Sequence, residues 1–357
     1  MMASKIPTIN FSQFLNGDPE TRLVISKSIV QAFRTYGFVS LTGHPVPLSE
    51  VSGAFKWTKL FFDLPSEVKS LAPHPPGFLH HRGYSHPGLE KVSNLTRGTD
   101  TDSSLSQTRG IPDIKESYEI GSEHYLEQPN IWIPQDVLPG FQEFMTKFYW
   151  NLAEFSAEIA KALALGIGLD DENYFEKFFT GHHNQLRLLH YPEVDASILE
   201  EGKGVRVSAH RDWGAFTLLF QDDCGGLEVE SPNKPGEFFK VEPDEGACLV
   251  NIADLMARWS NDYLRSTSHR VGLPPLQDRY TSDGGKRTTR ARYSIPYFVT
   301  TTPESVIECL HPFTDEAHPA KYPPITQWDY IRGSGMSPGV GHSSMRSLPG
   351  RNFTHSQ

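Results

Sequence analysis

The sequence predicts a mainly β protein with flanking helices, its core a barrel or sandwich of the jelly-roll kind. Three observations predict it. From about residue 184 to 298, short apolar runs alternate with Gly, Pro and Asp clusters, as strands alternate with turns. Ahead of them lies one strongly periodic helix, and ahead of that a strand–helix–strand opening. The chain has 357 residues, 38% of them hydrophobic, enough for one large core or two small ones.

The elements follow in order. Residues Pro7 to Phe11 read as a short strand, and Thr21 to Tyr36 as a helix ended by Gly37. Phe38 to Leu41 reads as a second strand, closing at Gly43. Residues 47–68 alternate helical pattern with turn residues. Residues 72–109 are rich in Pro, Gly, His, Ser and Thr and too long for an ordinary connection; such a segment is either a functional lid or disordered. The clearest helix runs from Phe141 to Leu165, where Phe141, Phe144, Phe148, Leu152, Phe155, Ile159 and Leu163 form one apolar stripe and Gly166 follows. The strand candidates after it are Leu186–Tyr191, Phe216–Phe220, Gly226–Val229, Phe238–Val241, Cys248–Ile252, Thr267–Val271 and Tyr293–Val299. The tail, residues 333–357, has few apolar side chains and reads as poorly ordered.

Composition excludes several classes. The formal net charge is −10, from 33 basic and 43 acidic residues, which argues against a nucleic-acid partner. The basic run from Lys286 to Arg292 reads for the most part as a solvated loop, with Arg292 set apart. Three scattered cysteines, none in a CxxC pair, argue against a disulfide framework or a thiolate zinc site. No stretch approaches the ~18 apolar residues of a membrane span. The opening residues lack a secretory h-region, so Asn10, Asn94 and Asn352 read as chance N-x-S/T matches and a cytoplasmic location is expected. Nothing in the sequence fixes an oligomeric state.

His210, Asp212 and the distant His269 are a candidate metal-ligand set. Side chains at i and i+2 of a strand share a face, so His210 and Asp212 are expected to project together, and Gly214 to permit a bend or a close approach. Two imidazoles and a carboxylate with open positions suit a non-haem Fe(II) oxygenase; a zinc hydrolase would accept the same ligands. Arg292 and Ser294 share a face of an otherwise apolar strand. A buried guanidinium needs an anion, and a hydroxyl beside it suits a carboxylate. Tyr191 ends another strand and offers its hydroxyl to the same anion.

These pieces resemble the Fe(II)/2-oxoglutarate-dependent dioxygenases of the isopenicillin N synthase-like class. The resemblance rests on His210-Arg211-Asp212-Trp213-Gly214, Gly225-Gly226-Leu227-Glu228-Val229, Val250-Asn251-Ile252-Ala253-Asp254, Arg258-Trp259-Ser260-Asn261-Asp262, Ser266-Thr267-Ser268-His269-Arg270-Val271 and Arg292-Tyr293-Ser294-Ile295-Pro296-Tyr297-Phe298, in that order. Ile6-Pro7-Thr8-Ile9-Asn10-Phe11 and Tyr36-Gly37-Phe38 extend it to residues 6–332. It implies a double-stranded β-helix core with iron held by His210, Asp212 and His269. It also implies that Arg292 and Ser294 hold the far carboxylate of 2-oxoglutarate, with Tyr191 reaching the same cosubstrate and O2 as the second one. Many plant members carry Asn where this chain has Leu189, so one polar contact is missing here. The implied divisions are an α/β N-terminal region packed on the core (6–125), support helices (126–183), the catalytic core (184–300), a C-terminal segment (301–332) and the tail.

Segments around Arg82-Gly83-Tyr84 and Asp113-Ile114-Lys115-Glu116-Ser117-Tyr118 are similar to fungal thymine 7-hydroxylases and fungal secondary-metabolism dioxygenases. The expected activity is oxidation of a methyl or ring carbon of a small cyclic metabolite, by hydroxylation or with rearrangement such as ring expansion to a tropolone. Arg187, Trp213, Phe298 and Tyr84 are expected to line the substrate pocket. Trp213 replaces a tyrosine of the thymine enzymes, which changes that wall. Three alternatives stand beside this reading: a pyrimidine methyl hydroxylase, an iron oxidase that uses no 2-oxoglutarate, and a non-catalytic small-molecule binding protein.

Overall fold

The structure, a computed structural model, describes residues 5–77, 80–89, 113–274, 280–283 and 286–335. The chain opens with β1 (Thr8–Asn10), α1 (Ser12–Asn16), α2 (Pro19–Tyr36), β2 (Phe38–Thr42), α3 (Leu48–Phe62) and α4 (Ser66–Lys69). Then come β3 (Gly83–Ser85), β4 (Glu116–Gly121), α5 (Phe141–Ile167), β5 (Gln185–Tyr191), β6 (Val194–Asp195) and α6 (Ala196–Glu200). The next group is β7 (Val207–His210), β8 (Phe216–Gln221), β9 (Leu227–Ser231), β10 (Lys234–Lys240), β11 (Ala247–Ile252), α7 (Asp254–Trp259) and β12 (His269–Val271). The chain continues through β13 (Tyr280–Asp283), β14 (Lys286–Thr289), β15 (Arg292–Val299), β16 (Val306–Ile307), β17 (Ile325–Thr326) and α8 (Gln327–Gly335).

Two sheets form the core. The larger has the order β1-β2-β11-β8-β15-β5-β4-β3, the smaller β10-β9-β12-β7. Together they make the double-stranded β-helix. The larger sheet shows why its strands read as nearly continuous apolar runs. In β15, Ile295, Tyr297 and Val299 face the helices, as do Leu186 and Leu188 of β5, Leu218 and Phe220 of β8, and Val250 and Ile252 of β11. They pack with Phe33 of α2, Phe61 of α3, and Phe148, Leu152 and Phe155 of α5 in the large core. The intervening positions face inward, where Leu189, Tyr191 and Leu249 meet Val207, Val229 and Val271 of the smaller sheet. Period-two alternation thus gives one face to the core and the other to a cleft between the sheets.

The N-terminal region does more than pack on this core. It supplies β1 and β2 at one end of the larger sheet and β3 and β4 at the other. Residues 126–183 hold one long helix, α5, with turns on either side, so the plural support helices are not found among the described residues. That helix runs past Gly166 and ends at Gly168, whose φ of 83° makes the left-handed cap. Gly166 has a different task. A Cβ there would lie 2.5 Å from the Ser26 carbonyl oxygen, so the missing side chain lets α2 approach. The basic run forms a strand, β14, paired with β13 and β6. Arg287 pairs there with Glu200, and Arg290 with Asp223. Most of the segment 72–109 (residues 78–79 and 90–109), expected to be a lid or disordered, and the tail from 336 lie outside the described residues.

A buried polar knot ties β4 to the helical layer. The Glu116 carboxylate accepts from Lys69 Nζ at 2.7 Å and Tyr84 Oη at 2.6 Å, and His190 Nδ1 lies 2.7 Å away. Burial would push the Glu116 carboxyl up, but these three partners outweigh it and hold it below its ordinary value. Breaking such a pair leaves a charge buried alone, so Lys69→Met is expected to lower the unfolding free energy in urea by about 3 kcal/mol. A depressed folded value means that the carboxylate's contribution is present at neutral pH and lost as pH falls through that value. The stability gap between wild type and Glu116→Gln should therefore stay level from roughly pH 6 to 8 and close below about pH 4.

Candidate active site

His210 ends β7 and His269 begins β12, and these strands place the two directly opposite each other. Their ring centroids are 4.3 Å apart. His210 Nδ1 lies 2.9 Å from the Ser208 carbonyl oxygen, and His269 Nδ1 lies 3.2 Å from that of Thr267. A ring nitrogen facing a carbonyl carries a proton, so in the neutral form of either ring Nε2 keeps the lone pair. Both Nε2 atoms face Asp212 Oδ1, at 3.7 and 3.8 Å.

Asp212 does not reach this position by strand alternation, because β7 stops at His210. It lies in the turn that follows and is fixed by the other sheet. Its Oδ2 accepts from Thr217 Oγ1 at 2.6 Å and Asn251 Nδ2 at 2.8 Å, which stand side by side on β8 and β11. Its backbone carbonyl accepts from Asp254 N–H at 2.8 Å. Gly214 permits the close approach expected of it: a Cβ there would lie 2.6 Å from the Val299 carbonyl oxygen. With Oδ2 satisfied, Oδ1 is the oxygen left for the imidazoles. Burial would raise the Asp212 carboxyl, but the His269 and His210 rings and the Asn251 and Thr217 donors hold it below its ordinary value. Burial and the neighbouring His269 push His210 down to about 4, against the pull of Asp212, so its ring is neutral near pH 7. The neutral His210 ring, the His269 imidazole and an ionised carboxylate, with one ligand atom each inside 4.8 Å, fit a first-row divalent ion.

Two cavities meet at these residues, sharing His210, Asp212, Arg187 and Phe298. The smaller, about 70 Å³, runs to Arg292, Ser294 and Tyr191. Arg292 is 1% exposed; Nη1 donates to Ser294 Oγ at 3.0 Å and Nη2 to Gln221 Oε1 at 3.2 Å. Its guanidinium lies 4.9 Å from the Tyr191 ring centroid, and Nε has no hydrogen-bond partner among the described residues. A buried cation whose hydrogen bonds go to neutral partners fits a carboxylate ligand. Lys115, 3% exposed, lines the same cavity.

The larger cavity, about 230 Å³, holds Arg187, Trp213 and Phe298. Tyr84 lines neither cavity. It is 4% exposed, and its hydroxyl is spent on Glu116, so its expected place in the pocket is corrected to the buried knot. Several lining or supporting residues were missed. Thr217 and Asn251 carried a signal, as polar positions within apolar strands. Arg82 sat in a segment noted only for its resemblance, and Gln185, Gln128 and the α8 residues Gln327, Trp328 and Ile331 carried no signal; all line the larger cavity.

Two family models match the chain: non-haem dioxygenase in morphine synthesis N-terminal over residues 6–135, and 2OG-Fe(II) oxygenase superfamily over residues 182–301. The chain is 36% identical to the 2-oxoglutarate-Fe(II) type oxidoreductase ppzD of Metarhizium rileyi, across 91% of this chain and 89% of that one. It is 36% identical to the proline hydroxylase buaE of Petromyces alliaceus, across 91% and 97%. In structure it is similar to full-length Neurospora crassa thymine 7-hydroxylase in complex with alpha-KG, with a TM-score of 0.79 and 38% identity over 92% of this chain and 94% of that one. The complex of the same Neurospora enzyme with alpha-KG and thymine gives a TM-score of 0.78 and 39% identity over 91% and 95%.

The hold on Asp212 generates a prediction. Asn251→Ala should weaken Co(II) or Mn(II) binding by about tenfold to hundredfold in anaerobic titration. His269→Ala should abolish binding at this site.

Proposed function

Since the chain belongs to the 2OG-Fe(II) oxygenase superfamily and is a 2-oxoglutarate-dependent dioxygenase, we propose that it oxidises a methyl or ring carbon of a small cyclic metabolite in fungal secondary metabolism. Iron would be held by His210 Nε2, His269 Nε2 and Asp212 Oδ1. Arg292 and Ser294 would bind the far carboxylate of 2-oxoglutarate in the smaller cavity, with Tyr191 against the guanidinium. The substrate would occupy the larger cavity, which opens on His210 and Asp212. The single observation that carries this reading is the meeting of the two cavities at the metal-ligand residues, with a buried arginine at the far end of one.

Bound iron with 2-oxoglutarate and O2 supplies the oxidising chemistry for cleaving a C–H bond. The chain's own residues bind, orient and exclude water. Ser208 and Thr267 carbonyls hold the Nδ1 protons of the two imidazoles, and Thr217 and Asn251 hold Asp212 with Oδ1 forward. Trp213 and Phe298 keep the reacting carbon among apolar walls. Arg187 offers hydrogen bonds to a substrate oxygen.

The relatives support a small ring as substrate, since one is named a proline hydroxylase and the Neurospora enzyme binds thymine in its complex. That complex also favours a second reading, oxidation of a pyrimidine methyl group. The deciding assay offers Fe(II), 2-oxoglutarate, O2 and a panel of pyrimidines and methylated phenolic or dienone polyketides, with succinate as readout. Succinate dependent on a polyketide ring supports the first reading, and succinate dependent on thymine the second. Turnover with no succinate formed would overturn both. Arg292→Leu should raise the KM for 2-oxoglutarate by roughly tenfold to hundredfold, as expected for losing a charge-assisted pair.

A further inference from the structure

Glu119 stands behind the larger cavity, with no exposed side-chain surface. On β4 it lies directly across from Arg187 of β5. Its Oε1 is 2.5 Å from Arg187 Nε, and its Oε2 accepts from Gln185 Nε2. Both partners line the larger cavity. A carboxylate only accepts hydrogen bonds. The Gln185 amide must therefore turn its nitrogen to Glu119, which leaves the Gln185 carbonyl oxygen as the atom for a ligand. Arg187 has donors only. The two residues are two apart on one strand and project from the same face. The cavity thus meets a ligand with an acceptor beside a donor.

We propose that Glu119 is a positioning residue that fixes this acceptor–donor pair, and that the substrate meets it with the N–H and carbonyl of a cyclic amide: a lactam, imide or cyclic urea. The inference rests on reading the larger cavity as the substrate site. Glu119 faces two cations that line this cavity, Arg187 and the buried Arg82, and offsets part of their charge. A neutral amide edge matches both Gln185 and Arg187, whereas a carboxylate would set an acceptor against the Gln185 oxygen. The Arg187 guanidinium also lies 5.5 Å from the Phe298 ring centroid, which limits its swing.

The test uses two planar probes of the same shape, 2-quinolone and coumarin, which differ by N–H against ring oxygen. Calorimetric titration is done anaerobically on the full chain loaded with Mn(II) and 2-oxoglutarate, so that the Arg292 end is filled. The wild type should bind 2-quinolone at least about tenfold more tightly than coumarin, because the lactone leaves the Gln185 acceptor unpaired. Glu119→Gln, which lets the Gln185 amide turn over, and Gln185→Leu, which removes the acceptor, should each shrink the ratio to less than about threefold. Unchanged 2-oxoglutarate binding in both variants shows that the fold is intact. The proposal is overturned if the wild type shows no preference, if neither probe binds while 2-oxoglutarate does, or if the preference survives in both variants. Tighter binding of quinoline-2-carboxylate than of 2-quinolone would also overturn it. Failure of 2-oxoglutarate to bind the wild type would count instead against the assigned function.

Discussion

The carboxylate of Asp212 is the constraint on which the site depends. It follows a strand of the smaller sheet, yet its outer oxygen is held by Thr217 and Asn251 of the larger one. The two imidazoles belong wholly to the smaller sheet. A ligand set assembled this way exists only when both sheets are folded and in register. A one-residue slip of β8 against β11 would turn Thr217 or Asn251 into the apolar layer and leave a buried carboxylate without donors.

The same alternation lays out the rest of the site along two strands. β5 and β15 run antiparallel, pairing Tyr191 with Arg292, Leu189 with Ser294 and Gln185 with Phe298. From Arg292 to Phe298 is six residues, about 20 Å of extended chain. The cationic end serves the smaller cavity and the aromatic end the larger. Meanwhile Ile295, Tyr297 and Val299 point the other way and anchor the strand in the helical core. Chemistry and stability therefore occupy alternate positions of one strand, which explains how a run as apolar as Ile295 to Val299 can border a site built from charged groups.

The sequence made part of this legible because its signals were local. Arg292 and Ser294, or the polar Thr217 within Phe216–Phe220, declare a face by period alone. Turns and apolar runs marked the strands of a barrel or sandwich, and the family resemblance implied the β-helix. What stayed hidden depends on contacts between distant segments. Tyr84 looked like a pocket residue, since nothing near it shows that Lys69, Glu116 and His190 converge on its hydroxyl. Gly166 looked like a helix stop, since the chain does not reveal that Ser26 packs there. Glu119 lay outside every strand marked in the sequence, and its hold on Arg187 and Gln185 requires the β4–β5 register. The contribution of Trp328 requires knowing where α8 docks.

Arg187 and Phe298 border both cavities. Two ligands that touch the same side chains cannot have independent affinities if either one moves them. Linkage then sets a quantitative rule: the factor by which the cosubstrate alters substrate affinity equals the factor by which the substrate alters cosubstrate affinity. A change confined to the substrate wall would thus register in cosubstrate affinity only while substrate is bound. Selection on one ligand in this fold acts on the other through the side chains that both touch.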